Sequence, residues 1–220
     1  MTSINSPFKR LKAYVENLFL DHEILRLLYR NFYELSPTAF RSNQPSKAFL
    51  KKLQKKRQLK TVISMRKANS SAPYLFEKEA CDQLGITLIH HPMSSQKLPK
   101  PEMVVAAKQL FETVEYPILI HCKSGADRAG LMSVLYMYFV QKQPLELAVK
   151  QLSMKYGHFK WANTGKLDFF FDDFFQYQSQ HPNIDFMEWV TTIYDRDTLD
   201  KQFQSAGWAN IVVHKILKRE

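Results

Sequence analysis

The stretch Ile118–Gly130 reads ILIHCKSGADRAG, and it decides how the rest of the 220-residue chain is interpreted. Its first three apolar residues predict a short buried strand, and the apolar run that follows Gly130 predicts a helix. Between the two lies a loop in which five residues separate Cys122 from Arg128. A loop whose amides point inward and that ends at a helix N-terminus forms a cradle for a phosphate group.

The residue types of this loop suit phosphate chemistry. The same amides favour thiolate over thiol, so we expect Cys122 to be a nucleophile near neutral pH. Arg128 can bind two phosphate oxygens through its planar guanidinium. Gly125 permits a backbone conformation that a Cβ would obstruct, and a hydrogen bond from His121 to the loop would lower the thiol pKa. We predict that the phosphate is bound by Arg128 together with the other residues of the loop, which are His121, Lys123, Ser124, Gly125 and Ala126.

This segment resembles the His-Cys-x2-Gly-x2-Arg-x-Gly signature of the cysteine-dependent protein tyrosine and dual-specificity phosphatases. From about Phe40 to about Phe175, the chain is similar to the bacterial and plant-type atypical dual-specificity phosphatases. Three motifs carry the resemblance: Arg-Ser-x-Gln-Pro at 41–45, Val-Ile-x-Met-Arg at 62–66 and His-Cys-Lys-x-Gly-Ala-Asp-Arg at 121–128. The resemblance implies hydrolysis of phosphate monoesters through a phosphocysteine, with no cofactor and no metal ion.

The sequence departs from the pattern of these phosphatases in its general acid, the residue that gives a proton to the leaving group. They usually supply an Asp from a loop roughly thirty to forty residues before the Cys, but here no Asp lies between Asp82 and the signature. We expect Asp127 to be the acid, with His91 as the second choice. The placement of Asp127 resembles the Cys-x4-Asp-Arg loop of myotubularin-like phosphoinositide phosphatases. Asp127 could instead pair with a neighbouring cation or cap the helix.

A second departure is Ala129, which directly follows the signature Arg128. Many relatives carry a Ser or Thr at this position, and its hydroxyl assists departure of the thiolate from phosphocysteine. The methyl group of Ala129 cannot do this, which predicts slow turnover or accumulation of the phosphoenzyme. The alternative function is therefore a catalytically weak pseudophosphatase that acts as a phosphate-binding module. A rhodanese-type sulfurtransferase also uses a loop cysteine after a strand, but it does not need an arginine at the position of Arg128, which disfavours this alternative.

Three residues outside the signature are further candidates for phosphate binding. Arg41 and Arg66 stand at the ends of predicted strands, where ligands of parallel sheets bind; each could also be an ordinary exposed arginine. Asn163 follows the loop by about the distance at which relatives place a residue that orients the attacking water. Lys123 resembles the Cys-Lys-x-Gly start of lipid-directed members. With the net charge of +10, these residues indicate an anionic substrate, either a phosphoprotein or a phosphorylated lipid.

Strand and helix patterns alternate three times between Thr61 and the signature, which predicts an α/β fold with a central, mostly parallel sheet flanked by helices. We assign residues 1–36 to an N-terminal helical extension, 37–180 to a phosphatase domain and 181–220 to a C-terminal helical appendage packed on the same domain. Helices are predicted over residues 8–20, 24–32, 46–57, 73–84, 101–114, 131–140, 144–157, 168–177, 185–194 and 199–203. We expect Ser46 to cap the third of these helices and Gly85 to end the fourth. The run 131–140 is apolar on nearly all sides and is predicted to be buried, and the aromatic residues of 168–177 are expected to form core.

The composition indicates the cellular compartment and the classes of partner that we expect for the protein. Its two cysteines, Cys81 and Cys122, fit a reducing compartment, and an ordinary buried cysteine is the simplest interpretation of Cys81. Neither a signal peptide nor a membrane-spanning run is recognised, so we expect a cytoplasmic protein, with peripheral membrane contact left open. The six Lys and Arg residues between 47 and 57 are interpreted as a solvated helix face, and no nucleic-acid partner is expected because few aromatic residues interleave with them.

Overall fold

The computed structural model describes residues 30–204. The helices predicted over residues 8–20 and 24–32 therefore lie wholly or mostly outside the described residues, as does the chain after residue 204. The described part forms two compact units that alternate along the sequence. The first unit comprises residues 30–92 and 114–125, and the second comprises residues 93–113 and 126–204.

The first unit is organised by a five-stranded sheet with the strand order β1-β2-β5-β3-β4. The pair β1–β2 is antiparallel, and the other three pairs are parallel. This arrangement confirms the predicted α/β class with a mostly parallel sheet. The strands are β1 (Tyr33–Ser36), β2 (Ala39–Ser42), β3 (Thr61–Ser64), β4 (Thr87–His90) and β5 (Ile118–His121).

Strand β1 differs from the sequence analysis, which placed residues 33–36 in a helical extension. These residues pair with β2 across a tight turn, so Tyr33 lies opposite Arg41 and Glu34 lies opposite Phe40. A strand of a hairpin is formed by backbone hydrogen bonds to its neighbouring strand. The helical spacing of apolar residues gives no information about such pairing.

The sheet register brings the last residues of three parallel strands side by side. Ser42 of β2 lies beside His121 of β5, and Ser64 of β3 lies on the other side of His121. The three strands therefore end at the same edge of the sheet. The segment that follows β5 begins at this edge, as ligand-binding loops of parallel sheets do.

Two helices complete the first unit, α1 (Lys47–Arg57) and α2 (Ala72–Leu84). As predicted, the Ser46 side chain caps α1 by accepting a hydrogen bond from the Phe49 N–H at 3.3 Å, and Gly85 ends α2 with a φ of +65°. Both helices bury apolar residues against the sheet in one core that includes Phe40, Leu50, Leu53, Val62, Ala80 and Leu119. Cys81 belongs to this core, and burial raises the pKa of its thiol to about 12.

The second unit is helical. Its long helices are α3 (Pro101–Thr113), α4 (Asp127–Phe139) and α6 (Lys166–Gln180), and α4 is buried along most of its length, as predicted. The aromatic stripe of α6 forms core, also as predicted: Phe170 and Phe174 contact the ring of Trp189. Shorter elements are α5 (Leu145–Ala148), α7 (Phe186–Glu188), which continues into a π-helical turn at Trp189–Ile193, and α8 over residues 196–204.

The helix predicted over residues 144–157 is wrong in its length. Helix α5 has only four residues, and two 3-10 turns follow it, at Val149–Gln151 and Met154–Tyr156. Ser153 between them is extended, and this conformation interrupts the helical hydrogen bonds. Within residues 30–204, no helix combines the length and the apolar character needed to cross a membrane.

Candidate active site

The segment that follows β5 in the first unit is held through its carbonyl groups. Four consecutive carbonyls, from Cys122 to Gly125, each accept a hydrogen bond from a donor outside these four residues. His121 Nδ1 donates to the Cys122 carbonyl at 3.2 Å, and the Gln44 backbone N–H donates to the Lys123 carbonyl at 3.3 Å. Asn31 Nδ2 donates to the Ser124 carbonyl at 2.9 Å, and Arg41 Nη2 donates to the Gly125 carbonyl at 2.7 Å.

These contacts determine where the amides of the segment point. In a trans peptide the carbonyl of one residue points away from the N–H of the next residue, so fixing the carbonyls of residues 122–124 also fixes the N–H groups of residues 123–125. One of these, the Gly125 N–H, donates to the Cys122 Sγ at 3.2 Å. The only other cysteine, Cys81, lies in the core of the unit, so Cys122 alone has a sulfur directed at loop amides.

Gly125 is required by the backbone, as the sequence predicted. Its φ is +78°, a conformation that residues with a Cβ rarely adopt. A Cβ at this position would lie 2.7 Å from the Asn43 backbone nitrogen and 2.9 Å from Asn31 Nδ2. The segment therefore packs against its supporting residues at a distance that only glycine allows.

His121 is fully buried at the end of β5 and connects the loop to α2. Its Nδ1 faces the Cys122 carbonyl and its Nε2 lies 2.8 Å from Glu77 Oε1. Burial would raise the pKa of Glu77, but His121, assisted by Gln44 and Arg66, holds this pKa below its usual value. His121 thus lies between the carbonyl of the loop and the carboxyl group of α2.

The two arginines predicted to contact phosphate lie near the loop in different ways. Arg41 is fully buried, so it is not an exposed arginine, and its contact with the Gly125 carbonyl suits support of the loop better than the substrate contact that we expected. Arg66 is half-buried and its Nη1 donates to Gln44 Oε1 at 2.7 Å. Because Gln44 also holds the Lys123 carbonyl, Arg66 is one residue removed from the loop.

Asp127 and Arg128 open helix α4 in the second unit, and Asp127 has a partner that the sequence analysis did not identify. His158 lies between two carboxylates: its Nδ1 is 2.7 Å from Asp127 Oδ1 and its Nε2 is 2.6 Å from Asp168 Oδ2. Lys160 Nζ lies 3.3 Å from the other oxygen of Asp168. The pairing of Asp127 with a cation, one of the three roles considered for it, is therefore present; its role as an acid stays a prediction.

The surroundings of His158 determine its protonation state. Burial alone would lower the pKa of His158, but the hydrogen bonds and charges of Asp127 and Asp168 raise it to about 9. Both ring nitrogens face carboxyl oxygens, and an imidazolium donates from both of them. His158 is consequently an imidazolium at neutral pH, and it binds Asp127 to the start of helix α6 through Asp168.

The remaining candidates are placed as follows. Asn163 begins a 3-10 turn in the second unit and is exposed. Ala129 is fully buried in α4, so its methyl group stands in the core of the unit. His91 directly follows β4 in the first unit, and its backbone N–H donates to the Ser64 carbonyl at 2.9 Å. The roles of Asn163 and His91 remain predictions.

Three supporting residues were missed by the sequence analysis: Asn31, Gln44 and Asp168. Asn31 is 93 residues from the carbonyl that it binds, and no periodic pattern connects positions at such a distance. Gln44 was noted only as part of the Arg-Ser-x-Gln-Pro motif. His158 follows the signature closely, but a single histidine in the sequence gives no indication of its two carboxylate partners.

Comparison with known proteins places this chain in a family. A family model described as the tyrosine phosphatase family matches residues 27–146, which is more than half of the chain. The dual specificity protein phosphatase TpbA of Pseudomonas aeruginosa is 31% identical over 133 residues, which are 59% of this chain and 55% of TpbA. TpbA from a second strain of this bacterium is 30% identical over 126 residues. The chain thus spans about half of the length of the curated relatives that it matches.

A structural comparison agrees with the sequence match. The crystal structure of a cysteine-to-serine variant of P. aeruginosa TpbA in complex with phosphotyrosine has a TM-score of 0.51 and 25% identity, and the match covers 63% of this chain and 80% of that one. A second TpbA crystal structure gives the same score and identity. These matches confirm the resemblance to the cysteine-dependent protein tyrosine and dual-specificity phosphatases. The chain is a member of the tyrosine phosphatase family.

Proposed function

We propose that the chain is a Cys-based phosphatase that hydrolyses phosphate monoesters through a phosphocysteine intermediate. The observation that carries this proposal is the hydrogen bond from the Gly125 N–H to the Cys122 Sγ, in a loop whose carbonyls are all bound elsewhere. A sulfur that accepts from a fixed amide is prepared to carry negative charge. Family membership and the spacing of Cys122 and Arg128 in the sequence support the same chemistry.

In the first step, an electron pair of the Cys122 sulfur forms an S–P bond as the P–O bond to the alcohol breaks. Charge on the phosphate oxygens is stabilised by the loop amides and by Arg128. The leaving alkoxide takes a proton and departs as an alcohol. In the second step, water attacks phosphorus, the S–P bond breaks with its electron pair on sulfur, and inorganic phosphate is released.

Asp127 is the proposed donor of the proton in the first step, with His91 as the second choice. His158 Nδ1 lies beside Asp127 Oδ1, which leaves Oδ2 of Asp127 to carry the proton that it gives to the leaving oxygen as it becomes a carboxylate. The carboxylate then accepts a proton from the attacking water, whose orientation we assign to Asn163. Asp168 holds the His158 ring in the orientation that this role requires.

The substrate that we infer is a phosphoprotein or a phosphorylated lipid. TpbA has been crystallised with phosphotyrosine, which favours an anionic phosphate ester by similarity. Lys123 is exposed beside Cys122, where it can attract such a substrate. We further infer a cytoplasmic protein, with peripheral membrane contact as an option, whose phosphatase domain covers residues 37–180.

One observation favours the second candidate function, a phosphate-binding pseudophosphatase. Ala129 supplies a buried methyl group where many relatives supply a hydroxyl, so the thiolate would leave phosphocysteine without that assistance. Such a protein would keep the loop and bind phosphate, but its turnover would be weak. The test below separates it from an active enzyme.

The test is phosphate release from an aryl phosphate, an alkyl phosphate, phosphopeptides and phosphorylated lipids. We expect the wild type to release phosphate and Cys122→Ser to release none. Cys81→Ala is the matched control, because it removes the only other cysteine without touching the loop. Asp127→Asn should lower release from the alkyl phosphate by about a hundredfold or more and affect the aryl phosphate little, since only the alkoxide needs a proton.

Two outcomes would contradict the proposal. Equal activity of Cys122→Ser and wild type would exclude the phosphocysteine. A wild type that binds inorganic phosphate but releases none from any ester would leave the binding module as the function of the chain.

A further inference from the structure

The second unit contains a groove that includes His158 and Asn163 of the proposed mechanism and extends beyond them. Its volume is about 1400 Å³, which exceeds the range of roughly 300–1,000 Å³ that is typical of pockets for small molecules. The groove runs between the 3-10 turns near residue 154 and the end of α8. Its lining includes Leu152, Met154, Lys155, Trp161, Lys166 and Phe203.

Apolar side chains are exposed at this groove. Among the described residues, five large hydrophobic side chains are exposed, and three of them lie between positions 154 and 161. Met154 and Trp161 line the groove and are 64% and 67% exposed; Phe159 does not line it, but it is 42% exposed and its ring lies 5.2 Å from the ring of Trp161. Such a concentration of exposed apolar surface usually marks a site that binds a ligand or a partner.

The charged side chains of the groove are all basic. Lys155, Lys160 and Lys166 line it together with His158, and no acidic residue does so among the described residues that line it. Lys160 and Lys166 contact Asp168 and Asp200, neither of which lines the groove. A ligand in this groove therefore meets apolar rings and cationic groups, which favours a molecule with an apolar body and an anionic group.

The groove is connected to the phosphatase signature within the second unit. His158 is one of the lining residues, and its Nδ1 lies 2.7 Å from Asp127 Oδ1. Asp127 directly precedes Arg128, which is the proposed phosphate ligand. Asp127 and its contact with His158 thus connect Arg128 to the lining, and we expect a molecule whose phosphate is bound by Arg128 to extend toward the groove.

We propose that this groove binds the apolar body of the substrate, and that the substrate is a phosphorylated lipid, an anionic phosphate monoester with acyl chains. The proposal rests on the proposed phosphatase function and selects one of its two substrate classes. A phosphopeptide is disfavoured because the lining is made of apolar and lysine side chains rather than of a strand edge that could pair with a peptide backbone. The chain's own residues 205–220 are disfavoured as an occupant because Lys215, Lys218 and Arg219 would meet the lysines of the groove.

The first experiment compares kcat/KM for three substrates: dihexanoyl phosphatidic acid in its monomeric form, a phosphotyrosine peptide and an aryl phosphate. Trp161→Ala should lower kcat/KM for the lipid by about tenfold, a loss expected when one large apolar contact is removed, and leave the aryl phosphate unchanged. Ile193→Ala is the matched control, because Ile193 is also an exposed apolar residue of the second unit, 43% exposed, but does not line the groove.

The second experiment measures binding without turnover. In Cys122→Ser with Trp208 replaced by phenylalanine, the remaining tryptophans are Trp161 and the buried Trp189. A phosphatidic acid with brominated acyl chains should quench the Trp161 fluorescence saturably. Adding Trp161→Phe to this protein should remove the quenching, since Trp189 is enclosed by other aromatic rings.

Each outcome supports or overturns one of the two proposals. Turnover of the aryl phosphate with no effect of Trp161→Ala on the lipid would overturn the groove and leave the phosphatase. A loss on the phosphopeptide rather than on the lipid would assign the groove to peptides and overturn the lipid. Saturable quenching in a chain that hydrolyses nothing would keep the groove as a lipid site and overturn the phosphatase.

Discussion

The Nδ1 atom of His158 lies 2.7 Å from Oδ1 of Asp127, the residue directly before the signature arginine. The other ring nitrogen lies 2.6 Å from Asp168, so one buried imidazolium joins the start of helix α4 to the start of helix α6. The stability of the second unit should therefore depend on the protonation of His158. Asp127, the proposed acid, is in contact with a positive charge that is lost only at alkaline pH.

The stability of the chain should fall as the pH rises through about 9. Asp127 and Asp168 raise the pKa of His158 to about 9, above the usual value near 6.5 in the unfolded chain. The folded state thus retains a proton that the unfolded state has lost. The contribution is fully present below pH ~6.5 and is lost through pH ~9, with an upper value of roughly 3 kcal/mol.

Urea unfolding at neutral and at alkaline pH measures this contribution. His158→Gln should be less stable than the wild type at pH ~6.5, and the difference between the two should shrink at alkaline pH, where the wild type loses its proton. The control is His181→Gln, because His181 is exposed and its ring contacts Tyr177, by stacking and through Nδ1 at 3.1 Å from the Tyr177 carbonyl, with no carboxylate in either contact. Equal pH dependence in wild type and His158→Gln would show that the buried imidazolium does not cause it.

Gly125→Ala should abolish most of the phosphatase activity. The new Cβ would collide with the Asn43 backbone nitrogen at 2.7 Å, so the loop must move away from the groups that hold it. A displacement of about 1 Å at a catalytic loop lowers the rate by about a hundredfold. Phosphate release from an aryl phosphate gives the readout.

Gly85→Ala is the matched control for this substitution. Gly85 also has a positive φ, +65°, but a Cβ there meets no atom within 4 Å. It should cost about 1–2 kcal/mol of stability through the backbone conformation alone and leave activity intact. A Gly125→Ala protein that is as active as Gly85→Ala would contradict the requirement for a close approach at the loop.

Arg41→Lys should distinguish support of the loop from contact with the substrate. A lysine cannot reproduce the guanidinium contact with the Gly125 carbonyl, and a buried carbonyl left without its donor costs about 1–3 kcal/mol. If Arg41 positions the loop, kcat falls for every substrate and the KM of the aryl phosphate changes little. Steady-state kinetics at constant pH provide both quantities.

The comparison for Arg41→Lys is Arg57→Lys, an exposed arginine of the first unit that pairs with Glu34 at 3.0 Å. It should leave both kinetic constants unchanged. A rise in KM with an unchanged kcat in Arg41→Lys would instead assign Arg41 to direct substrate binding, as the sequence analysis expected.

Ala129→Ser should speed the second chemical step. The wild type lacks the hydroxyl that assists departure of the thiolate, so we expect a burst of alcohol release followed by slower turnover. Ala129→Ser should shrink the burst and raise the steady-state rate, which rapid-mixing measurements with an aryl phosphate can follow. Ala162→Ser, a half-buried position elsewhere in the second unit, is the control. Identical bursts in Ala129→Ser and wild type would show that a hydroxyl at this position has no role.

Several features of this protein depend only on neighbouring residues, and the sequence predicts these well. Ser46 caps α1 and Gly85 ends α2 because caps and positive φ values are local properties. The signature Cys122–Arg128 follows a strand and opens a helix for the same reason. The aromatic stripe after Asp168 is core, because helical spacing places its rings on one face.

Other features arise only when distant segments meet. The buried Arg41 contacts Gly125, which is 84 positions away, and Asn31 contacts the Ser124 carbonyl, which is 93 positions away. His158, which lies between two carboxyl groups, is 31 positions from Asp127. The sequence therefore determined the residue types of the loop and the class of the fold. Only the tertiary structure decided which groups hold the loop, because buried donors, acceptors and charges choose partners by proximity in space rather than by spacing along the chain.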